Sequence, residues 1–323
     1  MRVLLATTWN AVCGVSEHSA MLKEAVEAVD PSIEIIPDVQ MLDPAATPVV
    51  HQYVQQYDVL HLNYHAALHS RWQPTAIHAA RAKHPVLVTY HDTGVPNSDQ
   101  CKAVIDAADY AVVHEPFDDL PKEKTEYLRM GVSARTSPLL LTMFHPQQPV
   151  LGSIGFPFPW KHYEELARVT AAAGWGLLLL APNATDEQVT DWYRLNPHIY
   201  VLRNFIPRGM AFAYLAGCDA TAFTYVCHNT GQAGPPYIGI GARKPVIMLS
   251  TCRQFRALYG DPLAREMIRW CETFEDVARQ LRTVPIQRVD PGMVALAEQE
   301  SWAKVGKRYA EIYKMLAEGK VSQ

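Results

Sequence analysis

The 323-residue sequence is bounded first by what it lacks. Its six cysteines, Cys13, Cys101, Cys218, Cys227, Cys252 and Cys271, are scattered and form no C-x-x-C pair. That spread argues against a disulfide framework and against a cysteine zinc site, and it fits buried thiols in a reducing compartment. There is no D-x-D metal motif. His61, His65 and His69 crowd one segment but complete no ligand spacing of known type, so no metal is expected. No glycine loop carries the full G-x-G-x-x-G of a dinucleotide site. No apolar run approaches the roughly 20 residues that cross a bilayer, so no transmembrane segment is expected. The opening MRVLLATTW reaches Trp9 and Asn10 too soon for a signal segment. Excess positive charge is missing as well: the formal net charge of -4 gives no general pull toward nucleic acid or an anionic membrane. The expectation is a cytoplasmic protein.

What is present is a large core. Hydrophobic residues make up 49% of the chain and charged ones 19%, and the length suits two ordinary domains. Short apolar runs at 3–7, 33–36, 59–63, 85–90 and 110–114 read as buried strands. Helical patterns at 16–29, 49–56, 75–83, 101–108 and 122–130 alternate with them, the last stopped by Gly131. Proline and glutamine gather at 145–149, which marks the domain boundary. The pattern then restarts with strands at 150–156, 176–180, 199–202, 220–225 and 246–249 and helices between them. The expected fold class is α/β: two Rossmann-like, doubly wound parallel sheets spanning 1–147 and 148–300, with an amphipathic closing helix in 301–323.

The most informative stretch is 225–250, YVCHNTGQAGPPYIGIGARKPVIMLS. It reads as strand end, glycine-bearing turn, short helix and strand. In a parallel sheet that unit leaves the helix N-terminus at the carboxyl edge, where an anion fits. Pro235 and Pro236 are tolerated only in a first helical turn, so the helix starts near residues 233–235. A crossover helix without a ligand is the plain alternative.

Taken together, six segments make the chain resemble the GT-B glycosyltransferases, in particular the large retaining group that uses nucleotide sugars, the family 4-like enzymes. They are TWNAVCGVSEHSAML, PVLVTYHDTG, GSIGFPFPWKHYEELARV, VLRNFIPRGMAFAYLAGCDATAFTY, ARKPVIML and ESWAKVGKRYAEIYKML. The resemblance implies two Rossmann-like domains facing a central cleft, a last helix crossing back to the first domain, and metal-independent chemistry without a cofactor. The donor would be a nucleotide-diphosphate sugar. The departures are specific. His162 replaces the glycine that follows the lysine, and Thr230 and Ile238 stand where many members carry a pair of glutamates. The arginine often found ahead of Lys161 is missing, with Gly155-Phe156 near its place.

The resemblance assigns roles by position. Lys161, helped by Lys244 or Arg243, would neutralise the departing phosphate, and His91 and Asp92 would act at the transferred sugar and the acceptor. Gly14 and Val15 would approach the donor through backbone. Asn204, Phe205 and Ile206 would read the nucleobase, and Tyr225, Asn229, Thr230, Gly231 and Gln232 would line the donor pocket. His61, Asn63 and His65, past a strand end, are the acceptor candidates. The acceptor itself stays open: a saccharide, a lipid-linked or small molecule, or DNA as in phage-type base-modifying enzymes. Two other readings remain, a phosphorylase or epimerase on the same fold and a catalytically silent nucleotide-sugar-binding protein.

Overall fold

The computed structural model describes residues 1–46, 56–66, 68–91, 99–114, 120–133, 144–145, 147–226, 233–286 and 289–319. The chain divides into two compact units. The first comprises residues 1–131 with the closing helix, and the second begins at Val132 and runs to Ser301.

The first unit holds strands β1 (Arg2–Ala6), β2 (Glu34–Asp38), β3 (Val59–Tyr64), β4 (Val86–Tyr90), β5 (Tyr110–Val113) and β6 (Thr125–Tyr127). Helices α1 (Gly14–Val29), α2 (Pro74–Arg81), α3 (Asp99–Ala107) and α12 (Trp302–Ala317) cover them. The sheet is parallel, in the order β2-β1-β3-β4-β5-β6. Side chains alternate across it, as strand geometry requires. Leu4, Leu60, Leu62, Tyr64, Val86 and Val88 meet Ile77 of α2 and Val104 and Ile105 of α3. Val3, Leu5, Val59, Leu87 and Val112 meet Leu22 and Val26 of α1 and Val305, Tyr309, Ile312, Tyr313 and Leu316 of α12. Burying each such side chain contributes about 1.5–3 kcal/mol. Helices α1 and α12 touch at Gly306, where a Cβ would lie 2.6 Å from the backbone of Ala25. Only a residue without a side chain lets the two backbones approach so closely.

The second unit holds β7 (Val150–Ile154), β8 (Gly176–Leu180), β9 (Ile199–Leu202), β10 (Ala220–Phe223), β11 (Val246–Leu249) and β12 (Arg269–Cys271). Its helices are α4 (Tyr163–Ala172), α5 (Asp186–Leu195), α6 (Arg208–Gly217), α7 (Gly234–Gly241), α8 (Arg256–Tyr259), α9 (Pro262–Met267), α10 (Phe274–Thr283) and α11 (Pro291–Gln299). The sheet is again parallel, in the order β12-β11-β10-β7-β8-β9. Helix α7 carries Pro235 and Pro236 in its first turn.

One expected helix is a strand. Residues 122–130 carry helix formers, yet Thr125–Tyr127 form β6 and pair with β5 in parallel register. Pairing with the open edge of β5 outweighs local propensity. Glu126 then accepts two hydrogen bonds from Arg308 of α12, at 2.7 and 2.8 Å, which holds the edge strand under the closing helix. The helix expected at 49–56 lies outside the described residues save for its last position. Strand β12 and helix α11 carry no strong periodic pattern and are seen only in the structure. Among the described residues no helix is long and apolar enough to cross a membrane.

Candidate functional site

In an open α/β sheet, ligands bind past the carboxyl ends of the strands where the order reverses. In the second unit that reversal lies between β7 and β10. The two strands pair through Ala220↔Leu151 and Thr221↔Gly152, after which side chains take over the bridging. Ser153 Oγ donates to the carbonyl of Ala222 at 2.7 Å. Tyr225 Oη donates to the carbonyl of Ile154 at 3.1 Å, and Thr224 Oγ1 donates to that of Lys161 at 3.2 Å. Beyond β7 the chain turns through Gly155 and a single 3-10 turn, Pro159–Lys161, before α4.

Lys161 is the centre of this arrangement. It is only 6% exposed, and its Nζ lies 4.8 Å from the centre of the Tyr225 ring. Burying a lysine on a sheet edge is costly unless something anionic or π-rich faces it. The ammonium rests in a notch left by Gly155, at which a Cβ would lie 1.9 Å from Nζ. Gly155 also has φ 140, a conformation reserved for glycine. Its carbonyl accepts from Tyr163 Oη at 3.0 Å. Gly155→Ala is expected to cost about 1–3 kcal/mol through backbone strain and to push Lys161 out of place. A thermal melt together with nucleotide-binding titration checks both effects.

His162 occupies the left-handed region, with φ 52 and ψ 42. That is the conformation a glycine would take most readily, and it explains why the related motif has glycine there. Asn204, Phe205 and Ile206 follow β9, with Phe205 exposed. Tyr225 is buried just past β10, packed against Phe255 at 5.2 Å between ring centres. Asn229, Thr230, Gly231 and Gln232 lie outside the described residues. Prolines at two first-turn positions of α7 remove two of the four N–H groups that a helix start normally offers, leaving those of Ala233 and Gly234. Ile238 packs against the apolar cluster of Leu178, Leu180 and Leu215 instead of facing a ligand.

The two helpers of Lys161 are misplaced by the sequence reading. Arg243 and Lys244 precede β11, at the amino edge of the sheet, whereas Lys161 follows β7 at the carboxyl edge. Lys244 is buried near Cys218, which precedes β10 on that same edge. Neither cation reaches the phosphate end of the crevice.

In the first unit the order reverses between β1 and β3. Gly14 and Val15 begin α1 after β1, with Cys13 as the N-cap accepting from the Ser16 N–H. A Cβ on Gly14 would meet nothing within 4 Å, so its backbone is open to approach. Asn63 is fully buried: its amide nitrogen donates to Ser19 Oγ at 2.6 Å and its oxygen lies 2.5 Å from His91 Nε2. Asn63 therefore positions His91 rather than facing solvent. Its neighbour two residues back, His61, is also fully buried. Its ring nitrogens lie 2.8 Å from Tyr313 Oη and 2.8 Å from Thr89 Oγ1, which leaves neither for an acceptor. Burial holds its pKa down to about 3. His65 follows β3 and is partly exposed, and Asp92 lies outside the described residues.

Two residues that sequence reasoning passed over sit beside His91. His18 of α1 and His114 after β5 approach it with ring centres 4.5 and 4.8 Å away. A polar residue within the buried stripe of α1 was the signal for His18.

No family model matches the chain, and no curated protein matches its sequence. Solved structures do. HepE of Anabaena, crystallised with UDP and glucose, is similar over 98% of this chain and 100% of its own, with 14% identity and a TM-score of 0.68. Sucrose-phosphate synthase from Thermosynechococcus elongatus matches over 98% of both chains, at 15% identity and a TM-score of 0.73. An α,α-trehalose-phosphate synthase from Burkholderia xenovorans, in complex with glucose-6-phosphate, covers 97% of this chain and 99% of its own, at 9% identity and a TM-score of 0.66. At such identities what is shared is the fold.

Proposed function

We propose that this chain, which has the GT-B fold, is a glycosyltransferase that moves a sugar from a nucleotide-diphosphate donor to an acceptor hydroxyl. The observation that carries this reading is the buried Lys161, held in the Gly155 notch at the reversal point of the second sheet. Breaking the anomeric bond leaves negative charge on the diphosphate. A fixed cation at that point stabilises the transition state more than the ground state. With no other cation of the motif at that edge among the described residues, Lys161 bears this charge, helped by the N–H of Gly234.

Tyr225, Asn204, Phe205 and Ile206 are the second unit's candidates for the donor, and residues 229–232 are proposed for it by the resemblance alone. Gly14, Val15 and His91 are the first unit's candidates for the donor, and His65 for the acceptor. Asn63 and His61 support these residues from inside the core. We infer retention of configuration, by front-face departure in which the acceptor hydroxyl passes its proton to the leaving phosphate, with no metal at the diphosphate. The apolar Ile238 in place of a glutamate also suits a silent binder of the same ligand.

A thermal-shift panel of UDP, GDP, ADP, CMP and TDP and their sugars separates the donors. Uridine nucleotides are tried first because HepE was crystallised with UDP-glucose. The expected result is stabilisation by one nucleotide class, accompanied by slow release of nucleotide without acceptor. Stabilisation with no release under any condition supports the silent binder. An inverted first product contradicts retention.

A further inference from the structure

His18, His91 and His114 come from three elements of the first unit: the start of α1, the residue after β4 and the residue after β5. One ring nitrogen of each lies within 4.8 Å of those of the other two. The hydrogen bonds fix where the lone pairs are. His114 Nδ1 lies 2.7 Å from the carbonyl of Leu128, which only accepts, so His114 donates from Nδ1 and its lone pair is on Nε2. His91 Nε2 faces Asn63 Oδ1, because the Asn63 amide nitrogen already donates to Ser19, so the His91 lone pair is on Nδ1.

Nε2 of His114 has no hydrogen-bond partner among the described residues, nor has either ring nitrogen of His18, which is 5% exposed. Buried polar atoms of this kind are nearly always satisfied. Here they belong to two rings that pack beside His91, one nitrogen of each imidazole lying within 4.8 Å of the others. Of the two imidazoles that do bond, His91 uses Nε2 toward Asn63, and His114 uses Nδ1 toward Leu128 and leaves its Nε2 without a partner. That is the arrangement by which a carbonyl orients a ligand imidazole.

We propose that His18, His91 and His114 form a binding site for one divalent metal ion of borderline softness, zinc being the type, with a water or a ligand oxygen in the fourth position. Three neutral imidazoles with one open position are a donor set that zinc takes. A zinc–nitrogen distance of about 2.0–2.1 Å needs nitrogens about 3.4 Å apart, so from separations of at most 4.8 Å each ring would move inward by no more than about 0.8 Å. Burial supports the donor state: it holds the pKa of His114 down to about 4 and those of His18 and His91 well below the ordinary histidine value, so protons do not compete at neutral pH. The site is built from residues of the first unit alone and shares His91 with the donor contacts proposed above, but its test reads metal binding and not turnover. A bound ion would take up the remaining lone pair of His91, so loaded and unloaded protein differ in whether that ring is open.

The test uses the full chain, stripped with a chelator and titrated with zinc or cobalt(II) alone. The expected result is one equivalent bound per chain, a higher melting temperature and the d–d absorption of cobalt in a nitrogen-rich four-coordinate site. His18→Phe, which keeps a ring against Trp302, and His114→Gln are each expected to weaken binding at least about a hundredfold. The surface variants His78→Ala and His198→Ala leave it unchanged. Circular dichroism reports whether each variant folds, and the cobalt spectrum of the unaltered chain stands whatever they do. No stoichiometric ion, no such spectrum, or binding that survives in a folded His18→Phe or His114→Gln overturns the proposal.

Discussion

Lys161→Ala is expected to lower turnover at least about a hundredfold, the order lost when one group that stabilises developing negative charge is removed. The reasoning rests on where the ammonium lies. It is buried at the carboxyl edge of the second sheet, over the Tyr225 ring, in a notch that Gly155 opens by having no side chain. The variant is expected to stay folded, because the lysine lies at the strand ends and not within the apolar clusters of the second unit. Loss of rate with retained stability separates a catalytic lysine from a structural one, which would show the reverse. Lys161→Arg is expected to rescue little, because a planar guanidinium is wider than the ammonium the notch accommodates. Single-turnover rates measured beside thermal melts check all three outcomes.

The second large effect concerns acid. His61 and His69 are fully buried and neutral, with pKa values held down to about 3 and about 4 against an ordinary 6.5, chiefly by desolvation. The groups bonded to them are hydroxyls and backbone: Tyr313 and Thr89 for His61, and the Ala6 carbonyl and His65 N–H for His69. Among the described residues no carboxylate is bonded to either ring. Because the folded values are depressed, the unfolded chain takes up protons first as pH falls below 6.5. Stability is fully present above that pH and declines below it, toward pH 4 for His69 and pH 3 for His61. At pH 5 each costs about 2 kcal/mol, so these two alone remove about 4 kcal/mol from a total that is typically 5–15, and the depressed His18, His91 and His114 of the same unit add to the loss. The described residues of the second unit bury no histidine. Calorimetry in the presence of chelator is therefore expected to show the transition of the first unit moving down by at least about 8–16 °C between pH 7 and pH 5. A midpoint that stays flat over that range contradicts the burial of these two rings.

Much of the architecture was legible in the sequence because buried parallel strands read as unbroken apolar runs. Segments such as 86–90 and 176–180 have no other plausible use. The start of α7 was fixed by Pro235 and Pro236, which fit only a first turn. What failed depended on distant partners. Residues 122–130 have helical composition, and nothing local discloses that β5 leaves an edge for them or that Arg308 would anchor Glu126. His61 and Asn63 were correctly placed on one face of β3 by the two-residue period. That α12 covers that face together with α1 is a fact about residues 252 positions away, as the His61–Tyr313 contact shows.

The candidate site divides in the same way. Lys161 and Gly155 were visible through one segment, and the structure adds why the second requires the first to lie as it does. Arg243 and Lys244 were drawn in because they belong to the 225–250 stretch, but α7, which precedes them, carries the chain back to the amino edge of the sheet. The histidine cluster could not be read at all. Its outer members, His18 and His114, lie 96 positions apart (114 − 18), and only the parallel order of β4 and β5 beside α1 brings them together.

The central claim is that a nucleoside diphosphate is held at the crevice between β7 and β10 by Lys161. A crystal grown with UDP, or with whichever nucleotide the thermal panel selects, tests it most directly. The account predicts diphosphate oxygens within hydrogen-bond reach of Lys161 Nζ, next to Gly155 and Tyr225. A nucleotide seated elsewhere while that crevice stays empty would contradict it.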